Sequence, residues 1–455
     1  MVLPLRWAAA ITVACVPLAG TAVMMLGSDP VTLPLVVTAG FVLRHAFGLL
    51  NKPLREQFLG LVSTDLLFLA FIAYSVASAL VFPRLFEGDT VVIPQAGRAV
   101  VLGPAQSSPV QIVYLLVAFY LYLALRHTML RRGMEFIVAA MLTQIALFGG
   151  FGLIQAMAGL AGVPISTSWI VNNQGYALLT QVELAGFTRV TSVFVEASSF
   201  AGWATGALGF CYGLYINRVL PKITLPLIIV MSITLILSTS STAYVGLLCI
   251  GLAATVYAFF DSDRARHERG FLIVLGGGFA AVGALIMVMS AQDGLLAGLR
   301  NMIEEMTIRK SQSGSGIERA QWAASAIQNA LDTGLLGVGY GAARSSGLFH
   351  QIVGTVGVPG LILFVLIVWT RVRRMFNRPR TGEESVVCAG AFALCCLLGA
   401  QAAAGNDLAL SNTFWIYCAI AAAPLAQRAA ARARTSEAME QRAEEAGPTS
   451  AERPI

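Results

Sequence analysis

The residues best equipped for chemistry in this chain are arginines that stand beside motifs and outside its charge runs. Arg189 and Glu196 are separated by six residues in GFTRVTSVFVEASSFAGW, where the sequence turns apolar. A guanidinium fork binds phosphate oxygens bidentately. A carboxylate at the edge of an apolar segment is costly unless paired or hydrated, which makes Glu196 a functional candidate. A purely structural pair of Arg189 with Glu196 is the competing reading. Further on, LLGVGYGAARSSG sets Gly337, Gly339 and Gly341 at alternate positions, followed by Arg344, Ser345 and Ser346. Glycines there let backbone N–H groups approach an anion, and a helix starting just after aims its positive end the same way. A flexible re-entry turn has the same composition. His350 comes next as a candidate general base; with no carboxylate cluster or second histidine nearby in sequence, no metal site is expected. STSST at 238–242 reads as a turn of helix-capping hydroxyls. Asp65, an acid inside an early apolar segment, has three readings: pairing with Arg44, facing a cavity, or carrying a proton in a transporter.

The elements that must position these groups are membrane spans. Of 455 residues, 57% are hydrophobic and 12% charged, and the mean hydropathy is +0.74. Soluble domains carry about 25% charged residues, so an ordinary cytosolic enzyme is excluded. A helix-length apolar window predicts twelve spans, near 5–27, 31–50, 60–82, 109–126, 135–162, 195–216, 223–239, 241–260, 271–290, 351–370, 386–404 and 413–427. They are too long and too apolar for barrel strands, so the expected fold is an all-α polytopic membrane protein. Its membrane domain covers 1–427, and 428–455 is a polar tail with no assigned chemistry. The first apolar run has no convincing small-residue cleavage site and reads as a span, not a removed signal peptide.

Basic residues set the orientation. With the N-terminus in the cytoplasm, the loops NKPLREQ, RHTMLRRG, INRVLPK, DSDRARHERG and RVRRMFNRPR, the tail, Arg6 and Arg44 hold 22 of the 30 Lys and Arg residues. The positive-inside rule then puts both termini in the cytoplasm. The net charge of +6 is thus a topological signal, and no nucleic-acid partner is expected. Arg84, Arg98, Arg189, Arg300, Arg309, Lys310, Arg319 and Arg344 fall on the outer side, with His350 as its one histidine. His45, His127 and His267 fall inside and read as loop or interface residues. All seven cysteines lie in apolar stretches and read as buried hydrophobes, with no disulfide or zinc framework.

The long outer segment 291–350 precedes the tenth span, and loops of that length are usually functional or disordered. Within it, SGSGIERAQWAASAIQNALDTG predicts a helix. Ser315 and Glu318 form a capping-box pair, Ile317, Ala320, Ala324, Ile327 and Leu331 recur at helical spacing, and Gly334 supplies the stop. That helix is expected to lie against the membrane face or the span bundle.

Four stretches, in order, resemble the O-antigen ligase and polymerase superfamily, and most of all bacterial exopolysaccharide repeat-unit polymerases. They are RVTSVFVEASSFAGW, LSTSSTAYVGL, GSGIERAQWAASAIQNALDTGLLGVGYGAARSSG and VGVPGLILF, together spanning about 185–370. The resemblance implies a metal-independent, GT-C-like integral-membrane glycosyltransferase that needs no nucleotide sugar and no cofactor. The donor is a glycan on undecaprenyl diphosphate and the acceptor a sugar hydroxyl, at the periplasmic face of the bacterial inner membrane. Polymerases join lipid-linked repeat units, alongside a flippase and a chain-length-regulating co-polymerase; ligases move finished glycan onto lipid A-core. By the same resemblance, Arg189 and Arg319 are first choices for the diphosphate clamp. Arg344 comes next, with Gly339, Gly341 and Ser345, while Glu196 orients an arginine or accepts the acceptor's proton. Ligases typically place a His-Asn or similar pair eleven residues before the GxxG that opens a late span. Here Gly357 to Gly360 is that GxxG, Ser346 holds that position, and His350 lies seven residues before it, so the Arg-x-Ser form is similar to the polymerases. A transporter or lipid flippase is the reading from another class; it predicts ionisable groups near the membrane midplane.

Overall fold

The computed structural model describes residues 3–26, 29–50, 52–53, 64–94, 98–163, 165–173, 183–184, 187–260, 314–377, 381–404 and 412–423, with Pro379 and Leu425. The chain is predominantly helical, and long apolar runs explain why: in hydrocarbon each backbone N–H and C=O must be satisfied within its own segment. The helices are α1 Leu5–Cys15, α2 Leu33–Leu50, α3 Asp65–Leu85, α4 Pro109–Arg132, α5 Glu135–Leu160, α6 Ala197–Ile216, α7 Pro221–Leu237, α8 Ser241–Phe260, α9 Gly314–Asp332, α10 Leu348–Val372, α11 Gly382–Ala404 and α12 Asn412–Ala421. Among the described residues, α2, α3, α4, α5, α8, α10 and α11 are long and apolar enough to cross a membrane. The protein is a multi-pass membrane protein.

Several expected spans take other forms. The stretch 5–27 does not make one helix. After α1, Pro17 precedes a 3-10 turn over Leu18–Gly20, and the next residues form strand β1, Ala22–Leu26, paired antiparallel with β2, Asp29–Thr32. Proline removes a helical donor and favours such a stop. Gly20 is also boxed in, since an added Cβ would lie 3.1 Å from Val171 and 3.2 Å from Val195. Within the expected span at 413–427, α12 covers Asn412–Ala421, and residues 424, 426 and 427 lie outside the described ones; the span at 223–239 is the 17-residue α7. Span 271–290 and His267 lie outside the described residues.

The bundle is centred on α6, which is buried along almost its whole length. Its glycines let a neighbour approach closely: an added Cβ at Gly213 would lie 2.6 Å from the Cα of Ala389 on α11, and at Gly209 3.1 Å from Cys396. Small-residue contacts of this kind are how membrane helices pack without a hydrophobic driving force.

At one end of the bundle the buried Asp65 is held by two arginines. It pairs with Arg126 and lies 3.1 Å from Arg371, and the Tyr122 hydroxyl donates to it at 2.6 Å. Arg126 also donates to the carbonyl of Ala422 at 2.9 Å. Of the three readings of Asp65, pairing holds, but the partners come from α4 and α10, far away in sequence, and not from Arg44. On α2 and α4, His45 and His127 are buried and hydrogen-bonded to each other at 2.9 Å, so they belong to helix packing and not to loops.

Candidate functional site

The other end of the bundle gathers three of the sequence-chosen residues. The loop before α6 is fixed to α5 through Gln155, whose side-chain oxygen accepts the N–H groups of Thr191 at 3.0 Å and Ser192 at 2.8 Å. Ser192 also donates its hydroxyl to the carbonyl of Phe148. That anchoring sets the direction of Arg189. Its guanidinium reaches the turn between α7 and α8, donating to the Ser238 carbonyl at 3.3 Å, the Thr239 hydroxyl at 3.2 Å and the Thr239 carbonyl at 3.3 Å. Thr239 has φ +47°, in the left-handed region. Burial pushes the Arg189 guanidinium down from its ordinary pKa; Glu196 opposes that shift and Arg319 adds to it.

Glu196 is the N-cap of α6, in extended conformation. Its Oε1 accepts the hydroxyls of Ser198 and Ser199, the latter at 3.4 Å. Its Oε2 lies 4.0 Å from Arg319, and both side chains are 31% exposed, so the pair opens to the outside of the fold. The ion-pair partner of Glu196 is therefore Arg319, with Arg189 acting on it through space. Among the described residues, these two guanidiniums and one carboxylate leave one positive charge in excess.

Arg319 comes from α9, where Trp322 stands one turn on at helical spacing. The guanidinium of Arg344 stacks on that indole, 3.7 Å from the ring centroid. Its backbone N–H donates to the carbonyl of Ile93 at 2.8 Å, and Ser345 donates its hydroxyl to the Trp322 carbonyl at 3.3 Å. Burial pushes the Arg344 guanidinium down from its ordinary pKa, with Glu318 opposing. Neither the Arg319 nor the Arg344 guanidinium donates a hydrogen bond to a described residue, so their side-chain N–H edges remain available to an oxyanion.

The glycine run is organised differently from the amide cradle its spacing suggests. The N–H groups of Val338 and Gly339 donate to the carbonyls of Gly354 and Thr355 at 3.0 and 2.8 Å. Gly337 and Tyr340 donate to the hydroxyls of Thr333 and Ser78. These amides, Gly339 included, thus have acceptors inside the chain. The reason lies in α10, which breaks at Gly357 with φ +67°. The broken turn frees the carbonyls of Gly354 and Thr355 and the N–H of Val358, which donates to Leu335 at 2.9 Å. The segment 335–339 fills the break with its own backbone. Gly341 serves packing too, since an added Cβ would lie 2.8 Å from Gln111.

His350 stands in the first turn of α10 with its Nδ1 buried and without a hydrogen-bond partner among the described residues. No hydrogen bond or ion pair joins it to the arginines. Ser198, Ser199 and Trp322 were not singled out from sequence, and Thr239 was read only as part of the STSST turn, not as a partner of Arg189. Trp322 was within reach from sequence, at three residues from Arg319; the Thr239 contact, 50 residues from Arg189, had no local signal. No protein-family model matches the chain, and no curated protein matches it.

Proposed function

We propose that the chain is an integral-membrane glycosyltransferase that polymerises undecaprenyl-diphosphate-linked oligosaccharide repeat units at the periplasmic face of a bacterial inner membrane. The observation that carries this reading is the joint placement of Arg189, Glu196 and Arg319 at one end of an apolar bundle, with Arg344 of the loop after α9 stacked on Trp322, one turn on from Arg319. A lipid-linked diphosphate brings its charge to the membrane surface, where these guanidiniums stand. In the transfer, the bond between the donor's anomeric carbon and a diphosphate oxygen breaks. A new bond forms from that carbon to the acceptor sugar's oxygen. The acceptor's proton goes to Glu196, and the leaving diphosphate takes its charge to Arg319 and Arg344. Electrostatic aid to a leaving oxyanion is often the largest catalytic contribution, about 3–4 kcal/mol for one well-placed donor.

Arg189 orients the site by tying the α7–α8 turn to the loop before α6. Ligation onto lipid A-core would use the same donor chemistry and differ in the acceptor. The transporter reading draws less support: Asp65, the acid a proton-coupled carrier would use, is buried against two arginines and a tyrosine. The test is reconstitution of the full chain in lipid nanodiscs with an undecaprenyl-diphosphate oligosaccharide as donor and acceptor. Products of two and more repeat units, lost in Arg319→Ala, are the expected outcome. Unchanged substrate with the wild-type chain, for every glycan donor tried, sinks the reading.

A further inference from the structure

Helix α9 has three faces, not two. At 3.6 residues per turn, Arg319, Trp322, Ala326, Ala330 and Thr333 form one side. Ala326, Ala330 and Thr333 are buried there, and an added Cβ on Gly354 of α10 would lie 2.8 Å from the Cβ of Ala326. Glu318, Gln321, Gln328 and Asp332 form a second, exposed and polar side. The third side carries Ile317, Ala320, Ala324, Ile327 and Leu331. This is the stripe whose spacing predicts the helix, yet all five are exposed, Leu331 at 59%.

A helix that only capped a bundle would turn its aliphatic stripe inward. Here small residues do the packing, while the aliphatic and polar stripes lie side by side on the outside. That arrangement fits a helix lying along the boundary between hydrocarbon and water. The apolar stripe also runs on into the lipid-facing surface. After Leu331 come the exposed Leu335 and Leu336, and Leu335 accepts the N–H of Val358 where the membrane-crossing half of α10 begins. That half exposes Ile362, Val365, Leu366 and Trp369. A protein partner is a poor match, because hot spots are usually built on Trp, Tyr and Arg anchors and this stripe has none.

We infer that α9 is a membrane-interfacial helix. Its Ile317–Leu331 edge inserts among the acyl chains, its Glu318–Asp332 edge faces water, and Arg319 and Trp322 are thereby held at the depth of lipid phosphates. The occupant of the stripe is the bilayer itself. This holds whether or not the chain transfers glycans, so it stands apart from the proposed activity.

The test is photocrosslinking of the full chain in its native membrane, with a diazirine amino acid placed singly at 327, 331, 321 or 328. Lipid adducts at 327 and 331, and their loss at 321 and 328, are expected. Adducts from 327 and 331 to another protein, to a second copy, or to residues 261–313 of the same chain would overturn the inference. So would equal lipid labelling at all four positions. An expression check on each variant, with the 321 and 328 variants as folded controls, separates misfolding from a negative result.

Discussion

Arg189 and Arg319 carry the same charge but hold it in different ways, and their variants should separate. Arg189 donates three hydrogen bonds to the α7–α8 turn. Its replacement by Ala should lower stability by about 2 kcal/mol, on the scale of hydrogen bonds from a charged group, visible as a lower unfolding temperature in detergent. Arg319 makes only a loose pair with Glu196. Arg319→Ala should leave the unfolding temperature unchanged while cutting the proposed transfer by about 100-fold, the usual loss for one oxyanion donor. Equal thermal losses in the two variants would contradict this division. Trp322 supports Arg344 through its ring, a contact worth about 0.5–1 kcal/mol at a part-exposed site. Trp322→Phe should therefore keep most of the activity, and Trp322→Ala should raise the KM a few-fold with kcat little altered. At this scale the sequence was informative where charge meets an apolar run, as at Arg189 and Glu196. It was silent on which acceptors each guanidinium takes, because those are backbone carbonyls brought together by the fold.

Element by element, hydropathy located most helices, and its failures have physical causes. At 5–27 a hydropathy window cannot register that Pro17 stops a helix or that Gly20 is enclosed by Val171 and Val195. On α9 the periodic stripe was real, but hydropathy gave no means of telling a bundle-facing stripe from one left outside. The packing face is made of Ala326, Asn329, Ala330 and Thr333, chosen for size and hydrogen bonding. The glycine run was the hardest to read. Alternate glycines suit an anion cradle and also suit a backbone plug, and only the break at Gly357 decides between them. Gly357→Ala should be strongly destabilising: φ is +67°, and the new Cβ would lie 2.2 Å from the Leu335 carbonyl oxygen. The backbone term alone is about 1–3 kcal/mol, and the clash adds to it, so the variant should show poor yield and early unfolding. A Gly357→Ala protein with wild-type stability would mean that the plug is not required.

Across the whole molecule, the two ends of the bundle divide the charged groups into a closed set and an open one. Asp65, Arg126, Arg371 and Tyr122 tie α3, α4 and α10 together at the closed end, all buried. Asp65→Ala would leave two guanidiniums buried without their carboxylate, which should cost about 3–5 kcal/mol; a chemical-denaturation curve in detergent measures it. Asp65 was legible as an anomaly in an apolar segment, but its partners, 61 and 306 residues away, were not. At the open end the guanidiniums of Arg319 and Arg344 have no hydrogen-bond acceptor among the described residues, and the proposed transfer is built on them. The most direct measurement is mass analysis of undecaprenyl-linked glycans in cells lacking the chain, beside cells carrying Arg319→Ala. Single lipid-linked repeat units should accumulate in both. Accumulation of long lipid-linked polymer would contradict polymerisation in favour of ligation, and an unaltered lipid-linked pool would contradict glycan transfer altogether.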